Sequence, residues 1–381
     1  MNAQILHIQA KNRTPANTVV KLEDFDFKEG ENIDPLTIVQ NPNITLYCID
    51  PQNQRAIFVE TPSDIDLSQA PFYYLAQYEH GQRLIAVPLK ELPLLVSQIE
   101  PFEQLIVIYS VGRCGSTLLS KVFNQVDTVL SLSEPDVFSQ IVGMRNPDRS
   151  NDEEVIGLLK ACIYLLAKPS VQKKPSFCAI KLRGFGIQLG DLIYQTFPDA
   201  RSIFLYRNAE DVIQSSIRSF DFLSQSLPKI KENIDFYSRF FSLLKDYADY
   251  IDFTDASAVD LHTTLWLSKM QSYLSLHKQG MITCAVRYED LVAQPQQIVS
   301  SLFQKCGLPI AEVKNACKAF ASDSQQGSSL SRENTRKNES KQLNTLEIRE
   351  KMDKLLKKHT VIKTSDFIVP NTLGFSRTSA Y

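Results

Sequence analysis

The chain has 381 residues, 43% of them hydrophobic and 22% charged, enough for a large buried core in one big domain with room for a smaller one. A formal charge of −2 and an isoelectric point near 6.3 exclude the broad basic field of a nucleic-acid or anionic-membrane binder, so any anion site here must be local. No apolar stretch approaches the roughly 20 residues of a membrane span, and the first residues lack the apolar core of a secretory signal. The seven cysteines (Cys48, Cys114, Cys162, Cys178, Cys284, Cys306, Cys317) form no CxxC pair and no Cys/His cluster at metal-ligand spacing. A cytoplasmic protein with reduced, mostly buried thiols and no metal is expected.

Up to residue 100 the texture is that of short β-rich runs, at 43–50, 55–60, 71–78 and 82–89, separated by Pro, Asn, Asp and Gly. They predict a small, mostly antiparallel β module over residues 1–100 that carries no chemical motif. It either shapes acceptor access and assembly or serves as a scaffold. From Glu103 the grammar changes to α/β. Buried-strand runs at Leu105–Ser110, Phe177–Leu182, Ser202–Tyr206 and Met281–Tyr288 alternate with helical patterns. That alternation predicts a mainly parallel sheet with helices on both faces over 101–381. Residues 322–358 are polar and charged, and read as a surface loop leading to a solvated helix.

Chemistry concentrates first at Tyr109–Leu119, where a strand ends, glycines Gly112 and Gly115 flank a short turn, and a helix starts at Ser116 and Thr117. Such a turn aims backbone N–H groups and the helix dipole at one point, which suits a phosphate, with Arg113 adding a fixed charge. A nucleoside-triphosphatase loop would carry lysine after its second glycine. Ser116 stands there instead, which disfavours a nucleotide kinase. The second constellation is Ser202–Phe220, in which a strand delivers Arg207 and the following helix carries Ser215 two turns on.

In this order the segments resemble the sulfotransferase superfamily. Residues 112–117 (GRCGST) are similar to the loop that binds the 5′-phosphosulfate end of 3′-phosphoadenosine 5′-phosphosulfate (PAPS). RNAEDVIQS, from Arg207 to Ser215, is similar to the 3′-phosphate segment. Tyr288–Leu291 (YEDL), Gly307–Pro309 (GLP) and Asp323–Ser328 (DSQQGS) follow as they do in members of that family. The resemblance covers roughly residues 103–335. It implies a P-loop-like sulfotransferase fold with PAPS as co-substrate, and a small-molecule or carbohydrate acceptor. Arg113, Cys114, Gly115, Ser116, Thr117, Arg207, Ser215 and Tyr288 would then bind the nucleotide, with Gly327 and Arg332 closing the site. Departures are Gly112 for the usual proline, Cys114 for the usual serine, and Arg183 near the histidine that cytosolic members use as base. A degenerate binder of adenosine 3′,5′-bisphosphate is the remaining alternative.

Transfer to a hydroxyl requires a proton acceptor and a cation for the leaving group. Lys181, at a strand end where open α/β sheets place ligands, and Arg113 are expected to flank the transferring group. Glu134, in Leu130–Phe138, is expected to be the base, as in carbohydrate-type and bacterial members with a similar acidic E-P segment. Pro135 predicts an extended backbone for it, and Asp136 is an alternative helix cap. His262 is the next base to test.

Overall fold

A computed structural model describes residues 2–13, 18–169, 175–220, 227–251, 259–328, 330–331, 333–334 and 345–374. The N-terminal strands are β1 (Ala3–Lys11), β2 (Phe25–Ile33), β3 (Ile44–Asp50), β4 (Arg55–Glu60) and β5 (Arg83–Pro88). They form one antiparallel sheet in the order β2-β1-β5-β4-β3, with every residue of β3 buried. A β module is thus what these residues build. The run at 71–78 departs from the expectation: Tyr73–His80 is a helix. Its buried residues Tyr73, Tyr74, Ala76 and Gln77 recur at helical spacing, and that packing overrides the β preference of the aromatics.

The second sheet comprises β6 (Gln104–Ser110), β7 (Val129–Ser133), β8 (Phe177–Lys181), β9 (Arg201–Tyr206) and β10 (Cys284–Arg287), in the order β10-β9-β6-β8-β7. β7 with β8 and β9 with β10 are parallel pairs. Their residues are nearly all buried, which is why they read as continuous apolar runs instead of alternating ones. The chain leaves β6 toward β7 and β8, then resumes at β9 on the other side of β6. The loop after β6 therefore opens at the switch point of the topology, where α/β sheets bind ligands.

The chain divides into two compact units whose boundary does not follow residue 100. The first unit holds 1–106, 123–183 and 192–200, and the second holds 107–122, 184–191 and 201–381. Within the first, the N-terminal segment is tied to later residues by side-chain bonds. Asp136 accepts the Val20 N–H at 2.9 Å, and Gln140 takes both the N–H and the carbonyl of Ile49, at 2.8 and 3.0 Å. The ammonium of Lys168 donates to the carbonyls of Ile38, Asn41 and Ile44.

Within the second unit the 20-residue helix Val259–Lys278 is buried along most of its length, and Trp266 on it donates to the carbonyl of Arg207 at 3.2 Å. The helix Thr345–Lys358, expected to be solvated, buries Ile348, Met352, Leu355 and Leu356 as one stripe. No helix among the described residues is long and apolar enough to cross a membrane.

Candidate active site

From Ser110 the chain turns through Val111–Gly115 into the helix Ser116–Asn124. Gly112, Arg113 and Gly115 hold left-handed backbone, with φ of +81°, +51° and +80°. Left-handed residues set among ordinary ones turn successive N–H groups to one side, the arrangement that cradles an anion. Gly115 meets two constraints at once, because a Cβ there would also lie 2.6 Å from the ring of Tyr288. Its carbonyl accepts the Leu119 N–H at 3.0 Å, so the amides of Ser116 and Thr117 are first-turn donors that the helix itself does not use. The Val111 N–H and the Cys114 thiol both donate to the carbonyl of Leu205 on β9, at 3.1 and 3.3 Å. Cys114 is fully buried.

Arg113, expected beside the transferring group, turns its guanidinium to Ser215, donating from Nε to Oγ at 2.9 Å. Its Nη1 donates to Gln325 at 3.2 Å, which brings the Asp323–Ser328 stretch to the same place. Burial, and then the neighbouring Arg207, push its pKa below the ordinary guanidinium value. Arg207 follows the last residue of β9, donates to the Arg113 carbonyl at 3.4 Å and lies 4.9 Å over the Tyr288 ring. Its Nη2 pairs with Asp211 at 3.1 Å, while its Nε is buried without a partner. A buried donor left unpaired costs free energy that an added acceptor would recover. Gly327 takes φ +81°, and Arg332 lies outside the described residues.

The other expected residues meet in the first compact unit. β7 ends at Ser133, and the Glu134 N–H donates to the carbonyl of Lys181 at 2.7 Å. The Glu134 carboxylate forms an ion pair with the Lys181 ammonium and lies 4.0 Å from Arg183. The backbone of Glu134 is not extended as Pro135 predicts. It holds φ +62°, a left-handed conformation uncommon for a residue with a side chain. Such a conformation survives only where the surroundings impose it, here the backbone bond and the ion pair to one strand end. Asp136 stands at the N-cap position of the helix Val137–Met144 without a side-chain cap bond, and its carboxylate serves Val20, Ser139 and Arg183. Burial raises its pKa against the pull of Arg183. Arg183 is thereby a structural cation, paired with Asp136 at 3.1 Å.

Sequence reasoning missed Lys269. It sits on the helix Val259–Lys278 and donates to the carbonyl of Val111, the first loop residue, at 2.9 Å. Its neighbours in sequence (TTLWLSKMQSYL) are nearly all buried, and a lysine inside such a run was the available signal. His262, two turns earlier on the same face, is buried with Nε2 unpaired, and burial holds its pKa down near 3.

A glycine-rich loop opens from a sheet of parallel pairs into a helix, with arginines gathered on it, in an α/β protein. The sequence matches the sulfotransferase domain family over residues 103–363, and the chain belongs to that family. No curated protein sequence matches it. Among solved structures it is similar to a sulfotransferase domain from the curacin biosynthetic pathway, at 14% identity and a TM-score of 0.38, covering 66% of this chain and 98% of that one. A sulfotransferase from Mycobacterium tuberculosis H37Rv matches at 12% identity and TM-score 0.37, over 69% and 79% of the two chains. One from Alicyclobacillus acidocaldarius matches at 14% and 0.33, over 58% and 92%.

Proposed function

We propose that this sulfotransferase moves a sulfuryl group from PAPS directly to an acceptor hydroxyl or amine, with no metal, and that it is of the glutamate-base kind. The observation that carries this reading is the loop of left-handed residues, with Arg113 bonded to Ser215 and Arg207 bonded to the Arg113 carbonyl. Amides and guanidinium groups fixed in this way suit the 5′- and 3′-phosphates of one nucleotide. The absence of lysine after Gly115 speaks against a γ-phosphate.

In the reaction the acceptor oxygen forms a bond to sulfur as the bond from sulfur to the bridging phosphate oxygen breaks. The hydroxyl proton passes to Glu134, and adenosine 3′,5′-bisphosphate leaves with the bond electrons. Lys181, paired with Glu134 at rest, stabilises the charge that builds on the bridging oxygen. The amides of residues 114–117 hold the 5′ end, and Arg207 with Ser215 the 3′-phosphate. Tyr288, with its ring against Gly115 and Arg207, lines the same binding surface. The acceptor is a small molecule or a carbohydrate.

The test is a thermal-shift series with ATP, PAPS and adenosine 3′,5′-bisphosphate, followed by an acceptor screen with sulfur-labelled donor. The bisphosphate and PAPS are expected to stabilise the protein and ATP not, with label appearing on an acceptor. Stabilisation by the bisphosphate with no donor turnover in any acceptor mixture would instead mark a binder without catalysis.

A further inference from the structure

Lys269 is a cation beside the phosphate loop that the proposed reaction does not use. Its ammonium donates to the Val111 carbonyl and lies against Gly112 and Gly184, the nearest approaches being 4.0 and 3.3 Å from the Cβ positions those glycines lack. The Phe241 ring centroid is 5.7 Å away. Among the described residues it has no ion pair and no second hydrogen bond, although an ammonium carries three donors. The titratable groups that bear on it are the Cys114 thiol, in the loop itself, and neutral His262 on its own helix. A half-buried cation beside a carbonyl and a ring, with no carboxylate partner among the described residues, is a costly arrangement in the free protein.

We propose that Lys269 is a positioning residue of the donor site, whose ammonium pins the first carbonyl of the phosphate loop and is neutralised by the anion the loop binds. This rests on the donor reading above. The cost of enclosing the cation is borne in the free protein and relieved on binding, which makes the loop selective for an anion over a neutral ligand. Burial pushes the pKa of Lys269 down to about 8 in the free protein. An anion at the loop favours the charged form and raises it again. The sign follows. Well below pH 8 Lys269 is charged in both states and binding moves no proton. Above pH 8 the free protein has lost the proton and the complex regains it, so binding takes up a proton and weakens as the pH climbs. The phosphates of the ligand, with a second pKa near 6, are already fully ionised in that range and do not contribute.

The experiment is isothermal titration of adenosine 3′,5′-bisphosphate into the full chain at pH 7 and pH 8.5, in buffers of different ionisation enthalpy. Wild type is expected to take up a fraction of a proton at pH 8.5 and almost none at pH 7. Lys269→Arg keeps the charge and cannot titrate, so it should bind about as tightly as wild type at pH 7 with no proton uptake at either pH. Lys269→Met should bind about tenfold to a hundredfold more weakly at pH 7, with a melting temperature in the absence of ligand equal to or above that of wild type. A lysine needed only for packing would instead lower that melting temperature and leave proton uptake unaffected. Tight bisphosphate binding with no proton uptake in wild type, or uptake that persists in Lys269→Arg, overturns this inference alone. No bisphosphate binding by wild type overturns it together with the donor reading.

Discussion

Glu134 carries the sharpest demand on a single residue, because it stands in a left-handed conformation before a proline and is ion-paired to Lys181. Replacement by glutamine keeps the shape and removes the proton acceptor. Glu134→Gln is expected to bind adenosine 3′,5′-bisphosphate normally and to transfer sulfuryl about a hundredfold more slowly or worse. Near-full turnover in that variant would remove the base assignment. His262 makes a different demand, on stability against pH. Its folded pKa near 3 lies below the value of about 6.5 in the unfolded chain. Between those values the unfolded chain binds the proton and the folded one does not, so stability falls as the pH drops below 6.5. At pH 5 the loss from this residue is about 2 kcal/mol. His262→Phe should flatten that part of the stability–pH curve in chemical denaturation. A curve that keeps its full slope would mean that other groups set the acid sensitivity.

At the scale of elements, the strand–loop–helix around Gly115 and the strand–helix corner around Arg207 position the proposed donor site. Gly115→Ala meets both a disfavoured φ and the Tyr288 ring, and should abolish nucleotide binding while Gly280→Ala, in open space, does not. A Gly115→Ala protein with wild-type bisphosphate affinity would show the loop is not the anchor. Arg207→Ala should cost roughly 2 to 5 kcal/mol of bisphosphate binding, read by titration calorimetry. These two elements were legible in the sequence, because glycine spacing and a strand-ending arginine are local signals. Where side chains go was not. The turn of Arg113 toward Ser215 joins positions 102 residues apart, and the ion pair of Lys181 with Glu134 joins positions 47 apart. The left-handed Glu134 runs against its own local preference before Pro135, so only tertiary contacts could reveal it. Lys269 belongs to no motif, and its place under Val111 appears only when the helix is packed.

For the molecule as a whole, the first hundred residues read in sequence as a module apart, from a composition shift alone. The contacts group them with 123–183, because Asp136, Gln140 and Lys168 take backbone partners between Val20 and Ile49. A fragment beginning near residue 101 would leave those buried polar groups without partners, at about 1 to 3 kcal/mol each. It is expected not to fold cooperatively, as judged by circular dichroism and proteolysis. A stable fragment that binds the bisphosphate would establish the N-terminal β sheet as an independent module.

The central claim is tested most directly by following adenosine 3′,5′-bisphosphate release from PAPS in the presence and absence of an acceptor library. Release is expected to depend on acceptor, to match sulfated product mole for mole, and to fall about a hundredfold in Glu134→Gln. PAPS that stays intact with every acceptor, under conditions where the bisphosphate binds, would contradict it.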